Sequence, residues 1–155
     1  MNKEAVRQLI VAQLDEARLT QERAAALARD EATHEESRPE SKYDTHSQEA
    51  AYLAEGQARL AAELAAARAA LATLPLPAYT GSEPIALGAL VELGHPTGPA
   101  WYFLGPAAGG TRVYADGREI LVVTPQSPLG RQLMGAAAGA VIPLARGTGR
   151  ILQVR

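Results

Sequence analysis

The sequence predicts an α+β protein in which an antiparallel α-helical coiled-coil hairpin precedes a small antiparallel β domain with one short helix. Composition is the first observation behind this prediction. Of 10 prolines and 14 glycines in the 155 residues, only Pro39 and Gly56 fall within residues 1–74. Periodicity is the second, because apolar residues follow helical spacing before this point and form short alternating runs after it. A change of this kind marks a domain boundary.

Residues 1–74 are expected to form two helices, each about 30 residues and roughly 45 Å long. In the second helix, residues spaced alternately three and four apart predict a coiled-coil seam. They are Ala50, Leu53, Gln57, Leu60, Leu64, Ala67, Leu71 and Leu74. The first helix offers a matching stripe of Val6, Ile10, Leu14, Ala17, Ala24 and Ala28. Pro39 lies in the polar segment 34–47 and removes a helix donor, so we expect the chain to reverse there and form an acidic tip.

A linker is predicted at 75–84, and the β domain at 85–155. Its predicted strands are 85–93, 100–106, 111–117, 118–125, 140–146 and 149–155. The residues Tyr114 to Gly117 carry a hairpin turn signal. A short helix is expected at 127–139, with Ser127 as its N-cap and Pro128 at the first helical position.

Composition excludes several classes of protein. The absence of cysteine excludes disulfides, thiolate metal sites and a cysteine nucleophile. No apolar run of about 18 residues exists and the first ten residues are charged and amphipathic, so we expect neither a transmembrane helix nor a signal peptide. We therefore expect a cytoplasmic protein without membrane contact.

Charge is distributed unevenly along the chain. The net charge of −2 argues against general nucleic-acid binding. Residues 1–76 hold 13 acidic against 9 basic residues, whereas residues 77–155 hold 4 against 6. The acidic half either meets a basic partner or a metal ion, or forms a solvated helix surface.

The segment VVTPQSPLGRQLMG at 122–135 carries a family resemblance, and IALGALVEL at 85–93 and WYFLGPAAGG at 101–110 fit the same layout. In the hairpin, Glu40 stands where a tip glutamate is expected, and residues 55–57, Glu-Gly-Gln, look like the start of the second helix. On these residues the chain resembles the bacterial Gre-type (GreA/GreB) transcription elongation factors over nearly its whole length. Sheet domains of this shape also resemble the immunophilin (FKBP-like) fold, although fold similarity does not carry activity.

The resemblance implies that the chain binds bacterial RNA polymerase and is not an enzyme by itself. The coiled coil would enter the secondary channel of the polymerase, where contact with nascent RNA is indirect. Its tip would act in trans, with no cofactor of its own, near Mg²⁺ of the polymerase active site. The implied tip residues are Glu36, Glu40 and Asp44, of which Glu40 and Glu36 would contact the metal. The expected docking residues are Ser127, Pro128, Leu129 and Trp101.

The tip departs from the family pattern, because Ser37 stands where the family has an aspartate. Glu36 is a candidate replacement if the turn stays helical, and the protein would then stimulate cleavage of backtracked RNA. Alternatively, it is a paralogue that binds polymerase and modulates or inhibits it without cleavage. A third hypothesis is a coiled-coil interaction module unrelated to polymerase. We expect a monomer, whereas a stable dimer would favour this third hypothesis.

The histidines and glycine-rich segments carry weaker signals. His34 and His46 flank the tip and lack a third ligand nearby, and His95 has no partner in the local sequence. We interpret the first two as exposed polar residues. Segments 105–110 and 135–140 lack the Lys-Ser/Thr of a phosphate loop and are predicted to be a turn and a helix end.

Overall fold

The computed structural model describes residues 1–33 and 46–155, and its elements confirm the predicted α+β class. Two long helices come first, and six strands and one short helix follow. The helices are α1 (Lys3–Thr33), α2 (His46–Ala72) and α3 (Pro128–Leu133). The strands are β1 (Leu90–His95), β2 (Gly98–Leu104), β3 (Arg112–Ala115), β4 (Arg118–Val123), β5 (Val141–Pro143) and β6 (Thr148–Val154).

The chain divides into two compact units. Unit 1 comprises Met1–Gln13 and Ala69–Arg155, and unit 2 comprises Leu14–Arg68. This division differs from the predicted boundary at 75–84, because the start of α1 and the end of α2 belong to the unit that contains the sheet. The Arg7 guanidinium donates to the Leu74 carbonyl at 2.8 Å, and the fully buried Leu71 lies beside Gly105, just after β2.

The helices of unit 2 run antiparallel. Asp15, near the start of the unit, pairs with Arg68 at its end, with 3.1 Å between Oδ2 and Nε. Further along α1, Arg29 and Thr33 line a depression with Ala51 and Ala58 of α2. Residue numbers therefore rise along α1 as they fall along α2, as the hairpin prediction requires.

The seam of α2 differs from the predicted one. Leu53 and Leu60 are 53% and 40% exposed, whereas their neighbours Ala54 and Ala61 are each only 6% exposed. Methyl side chains let two helices approach more closely than leucines do, and helix separation depends on the side chains at the contact. The alanines therefore take the buried positions. On α1 the prediction is confirmed for the buried residues Val6, Ile10, Leu14 and Ala28.

The sheet has the order β3-β4-β2-β1-β6-β5 and is antiparallel except for one pair. Strands β2 and β4 are parallel. This pair differs from the antiparallel sheet that the sequence predicts. Strand β3 lies at the edge of the sheet, and its hairpin partner β4 lies between β3 and β2 and runs parallel to β2. Asp116 and Gly117 connect β3 and β4 with φ of 50° and 72°, the positive values that a two-residue type I′ turn requires.

Two predicted boundaries differ from the observed ones by more than the others do. The first strand begins at Leu90 rather than at residue 85, and α3 ends at Leu133 rather than at residue 139. One contact accounts for both differences: Gly135 N donates to Ile85 O at 2.8 Å, and Ile85 N donates to Ala136 O at 2.7 Å. Gly135 has a φ of +77°, which ends helical geometry and allows this pairing.

The two faces of the sheet hold different side chains. Tyr102 and Leu104 belong to a buried cluster with Leu133 of α3 and residues of β1, β5 and β6. Successive side chains of a strand point to opposite faces, so Trp101 and Phe103 lie on the other face. Among helices in the described ranges, none combines the length and apolarity that crossing a bilayer requires.

Candidate functional site

The acidic tip lies outside the described residues. Glu36, Glu40 and Asp44 all fall between Thr33, where α1 ends, and His46, where α2 begins. Their position in the sequence makes them part of the connection between two antiparallel helices. Their predicted roles stay predictions.

The turn that begins α3 is built by Ser127. Its hydroxyl accepts a hydrogen bond from Gly130 N at 3.0 Å and donates to Thr124 O at 2.8 Å. Ser127 is thus the N-cap, and Pro128 follows at the start of the helix, as predicted. The hydroxyl that was assigned to docking is therefore engaged within the turn.

Gly130 is required by the same turn. A Cβ at this position would lie 1.9 Å from the carbonyl oxygen of Thr124, a distance at which backbone must shift. The geometry of this turn therefore explains why serine and glycine occupy positions 127 and 130 of the Ser-Pro-Leu-Gly sequence. Its outward-facing residues are those that remain available for contact.

A cavity of about 770 Å³, the α3 pocket, lies beside this turn. Its walls combine apolar and polar side chains from the end of β1 and the turn after it, from helix α3, and from the end of β5 and the loop after it. They are His95, Pro96, Thr97, Pro128, Leu129, Gln132, Pro143, Leu144, Ala145 and Arg146. The pocket is open to solvent on one side and suits an apolar side chain of a partner.

Polar groups at the α3 pocket set its electrostatics. His95 Nε2 lies 2.8 Å from the Tyr102 hydroxyl, and burial raises the pKa of that phenol. In the described part of the chain, no carboxylate lies within salt-bridge distance of Arg146. The pocket therefore presents a cationic group beside an apolar floor.

Trp101 does not join this pocket. It lies on the sheet face opposite the cluster that includes Leu133, and it is only 4% exposed. The guanidinium carbons of Arg118 and Arg155 lie 5.4 and 5.9 Å from the centre of its ring. The structure brings Ser127, Pro128 and Leu129 together but places Trp101 elsewhere.

Sequence reasoning missed several residues of the α3 pocket. His95 had no recognisable partner nearby in the sequence, yet Tyr102, seven residues later, supplies one across the β1–β2 pair. Leu144 and Arg146 come from the β5–β6 connection. The only available signal was the proline- and glycine-rich character of these loops. It predicts a turn without indicating which turns meet.

Metal binding within the described ranges finds no support. Neither residues 1–33 nor 46–155 hold a group of three or more His, Asp or Glu side chains placed to bind an ion. Carboxylate oxygens are nonetheless the ligands that Mg²⁺ prefers, so the predicted donors Glu40 and Glu36 are chemically suitable.

Comparison with known proteins gives structural likeness alone. No protein-family model matches the chain, and no curated protein matches it. The crystal structure of Thermus aquaticus Gfh1 is 23% identical with a TM-score of 0.37, covering 94% of this chain and 91% of that one. GreA factor homologue 1 (Gfh1) of Thermus thermophilus is 22% identical with a TM-score of 0.38, covering 96% and 94%. With TM-scores this low, the likeness transfers no residue role.

Proposed function

We propose that this chain binds bacterial RNA polymerase through unit 1 and regulates transcript elongation through the acidic tip predicted at 34–47. The α3 pocket is the observation that carries the proposal. It is an apolar, solvent-open cavity formed partly by Pro128 and Leu129, in the segment that resembles the family's docking segment. An apolar side chain of the polymerase could occupy this pocket and contact Pro128 and Leu129.

The hairpin supplies the second part of the proposed activity. From Leu14 to Thr33, α1 spans about 30 Å at 1.5 Å per residue. The end of α1 at Thr33 therefore lies about this distance from the start of unit 2. That arrangement suits insertion into a channel, and in this proposal it is the secondary channel of the polymerase.

The tip carboxylates would act in trans. Glu40 and Glu36 would offer oxygen ligands toward the polymerase active centre, and Asp44 would add negative charge beside them. Mg²⁺ held by the polymerase supplies water activation and charge stabilisation for phosphodiester cleavage. We propose that the chain itself has no catalytic centre and no cofactor, contacts nascent RNA only indirectly, and works in the cytoplasm.

A regulator that does not stimulate cleavage is the second candidate, and Ser37 favours it. A serine hydroxyl offers a neutral oxygen where the family has a carboxylate, so metal affinity at the tip should be lower. Such a protein would occupy the channel and change elongation without shortening the RNA.

Two substitutions separate docking from tip action. Leu129→Asp places a charge in the α3 pocket and should weaken polymerase binding at least about tenfold, the effect of losing a buried contact. Glu40→Ala should leave binding within about twofold and abolish the effect on stalled complexes. Leu152→Asp is the matched control, because Leu152 is half-exposed. It follows Ile151, which belongs to the buried cluster with Leu133, so the Leu152 side chain points to the opposite face of the sheet. Equal loss of binding in the Leu129 and Leu152 variants would refute docking at the pocket.

An interaction module that oligomerises through α2 is a further candidate, and the exposure of Leu53 and Leu60 favours it. Analytical ultracentrifugation separates it from the polymerase proposal. A monomer at micromolar concentration supports the intramolecular hairpin, whereas a stable dimer supports the module.

A further inference from the structure

The charge around the α3 pocket has one sign. From Ile120 to Arg155 the chain contains four arginines and no aspartate or glutamate, and this stretch supplies seven of the ten residues that line the pocket. The other three, at 95–97, include no carboxylate either. Apolar, neutral polar and basic side chains therefore make up the whole lining of this cavity.

The carboxylates of unit 1 belong to other sites. The sequence of this unit holds five acidic residues. Glu4 and Glu83 accept hydrogen bonds from residues close to them in the chain, and Asp116 lies in the β3–β4 turn. Glu92 and Glu119 line a separate cavity of about 580 Å³, which shares no residue with the α3 pocket. The positive charge at the α3 pocket is therefore left for a partner to neutralise.

Arg146 carries this charge at the pocket. It is exposed in the loop after β5, and in the described ranges its guanidinium has no hydrogen bond or ion pair. The other three arginines of the stretch are engaged, since two donate to backbone carbonyls and one lies over the Trp101 ring. They are Arg131, Arg150 and Arg155. A free guanidinium presents planar donors that match the two oxygens of a carboxylate.

We propose that the α3 pocket recognises a polymerase segment in which a large apolar side chain stands beside an aspartate or glutamate. The apolar side chain contacts Leu129 and Leu144, which are half-buried and pack against the buried cluster with Leu133. Arg146 binds the neighbouring carboxylate. This inference rests on the proposed function and adds the chemistry of the partner surface.

Arg146 is in this account a specificity-determining residue. A partner with a basic residue beside the apolar one would bring two cations together, and a partner with a neutral residue would leave Arg146 without an ion pair. Both alternatives bind less tightly than the acidic partner, so the arginine selects by repulsion as well as by attraction.

Replacing Arg146 is the direct test. Arg146→Ala should lower affinity for purified RNA polymerase core about threefold to tenfold, and Arg146→Glu should lower it further because it adds repulsion. Arg146→Lys keeps the charge without the planar fork and should bind with intermediate affinity. Titrations at low and high salt should show the difference between wild type and Arg146→Ala shrinking as ionic strength rises, because salt screens exposed charges.

Arg150→Ala is the matched control, because it removes the same charge from the same acid-free stretch. Arg150 precedes Ile151, which belongs to the buried cluster with Leu133, so its side chain points to the opposite face of the sheet. It should leave affinity within about twofold. The melting temperatures of the Arg146 variants should stay within about 2 °C of the wild type, because an exposed side chain contributes little to stability.

The outcomes separate this inference from the proposed function. If the wild-type chain does not bind polymerase, both fail. If Leu129→Asp weakens binding but Arg146→Ala and Arg146→Glu bind like the wild type, the inference alone fails. Equal losses in Arg146→Ala and Arg150→Ala would also overturn it, because the effect would then follow net charge rather than the pocket. So would self-association of the wild type that Arg146→Glu abolishes, since the occupant would then be a second copy.

Discussion

Ser127 is a residue whose structural role is explained by two hydrogen bonds. Its hydroxyl accepts a hydrogen bond from Gly130 N and donates one to Thr124 O. Ser127→Ala should lower the free energy of unfolding by about 1 kcal/mol, the usual effect of losing an N-cap. Urea denaturation measures this change. Ser127→Thr keeps a hydroxyl that can both accept from Gly130 N and donate to Thr124 O, and it should retain most of the stability; equal losses in the two variants would argue against capping.

Glu83 is the residue with the largest described pKa shift. The Thr80 hydroxyl and the Thr80 and Gly81 amides donate to its carboxylate and lower its pKa from 4.5 to about 2. Because the folded-state pKa is depressed, the stabilisation is complete above about pH 4.5 and is lost as the pH falls toward 2.

Replacing Glu83 by glutamine tests this shift. The melting temperature of the wild type should exceed that of Glu83→Gln at neutral pH, and the difference should shrink between pH 4.5 and 2. Paired thermal melts across this range provide the measurement. A difference that does not change with pH would contradict the hydrogen-bonded carboxylate.

Local rules predicted the residues whose partners are close in sequence. Ser127 and Pro128 form the predicted cap, and the Asp116-Gly117 turn lies within the predicted signal at 114–117. The contact of Arg146 with the α3 pocket depends on how two distant loops meet. No local pattern contains that information.

Helix α2 shows how periodicity can indicate the element and misplace its seam. The predicted stripe and the observed one share Ala50 and Leu71, but Leu53 and Leu60 give way to the neighbouring alanines. A heptad pattern predicts that the most hydrophobic residues are buried, whereas two closely packed helices bury residues with small side chains. An alanine-rich helix therefore has two candidate faces.

Adjacent substitutions on α2 test the observed seam. Leu53→Ala should change the free energy of unfolding by about 0.5 kcal/mol or less, because the side chain is half-exposed. Ala54→Leu should destabilise by about 1–3 kcal/mol, because it overpacks a buried position. Chemical denaturation of both variants is the measurement. A larger loss of stability in Leu53→Ala than in Ala54→Leu would instead support the predicted seam.

The sheet shows the same limit at the level of topology. Most strands were predicted from apolar runs between turn residues, yet the parallel pairing of β2 with β4 follows from where the β3–β4 hairpin joins the sheet. The contact of Ile85 with Gly135 likewise joins residues 50 positions apart. Both depend on assembly of the whole unit.

The surface proposed for docking and the segment proposed to act on the polymerase belong to different units of the chain. Unit 1 holds the α3 pocket, and unit 2 holds the helices that lead into the acidic segment. Sequence composition predicted two parts but placed the boundary at 75–84. The ends of the long helices belong with the sheet, because the buried Val6, Ile10 and Leu71 contribute to unit 1.

The most direct test uses a stalled, backtracked RNA polymerase complex, with and without this protein and Mg²⁺. The account predicts that the protein changes the complex. Shortened RNA would show that Glu36 and Glu40 function without the family aspartate, and altered elongation without cleavage would identify a regulator. In either case Leu129→Asp should remove the effect. An unchanged complex, with neither cleavage nor altered elongation at saturating protein, would contradict the polymerase proposal itself.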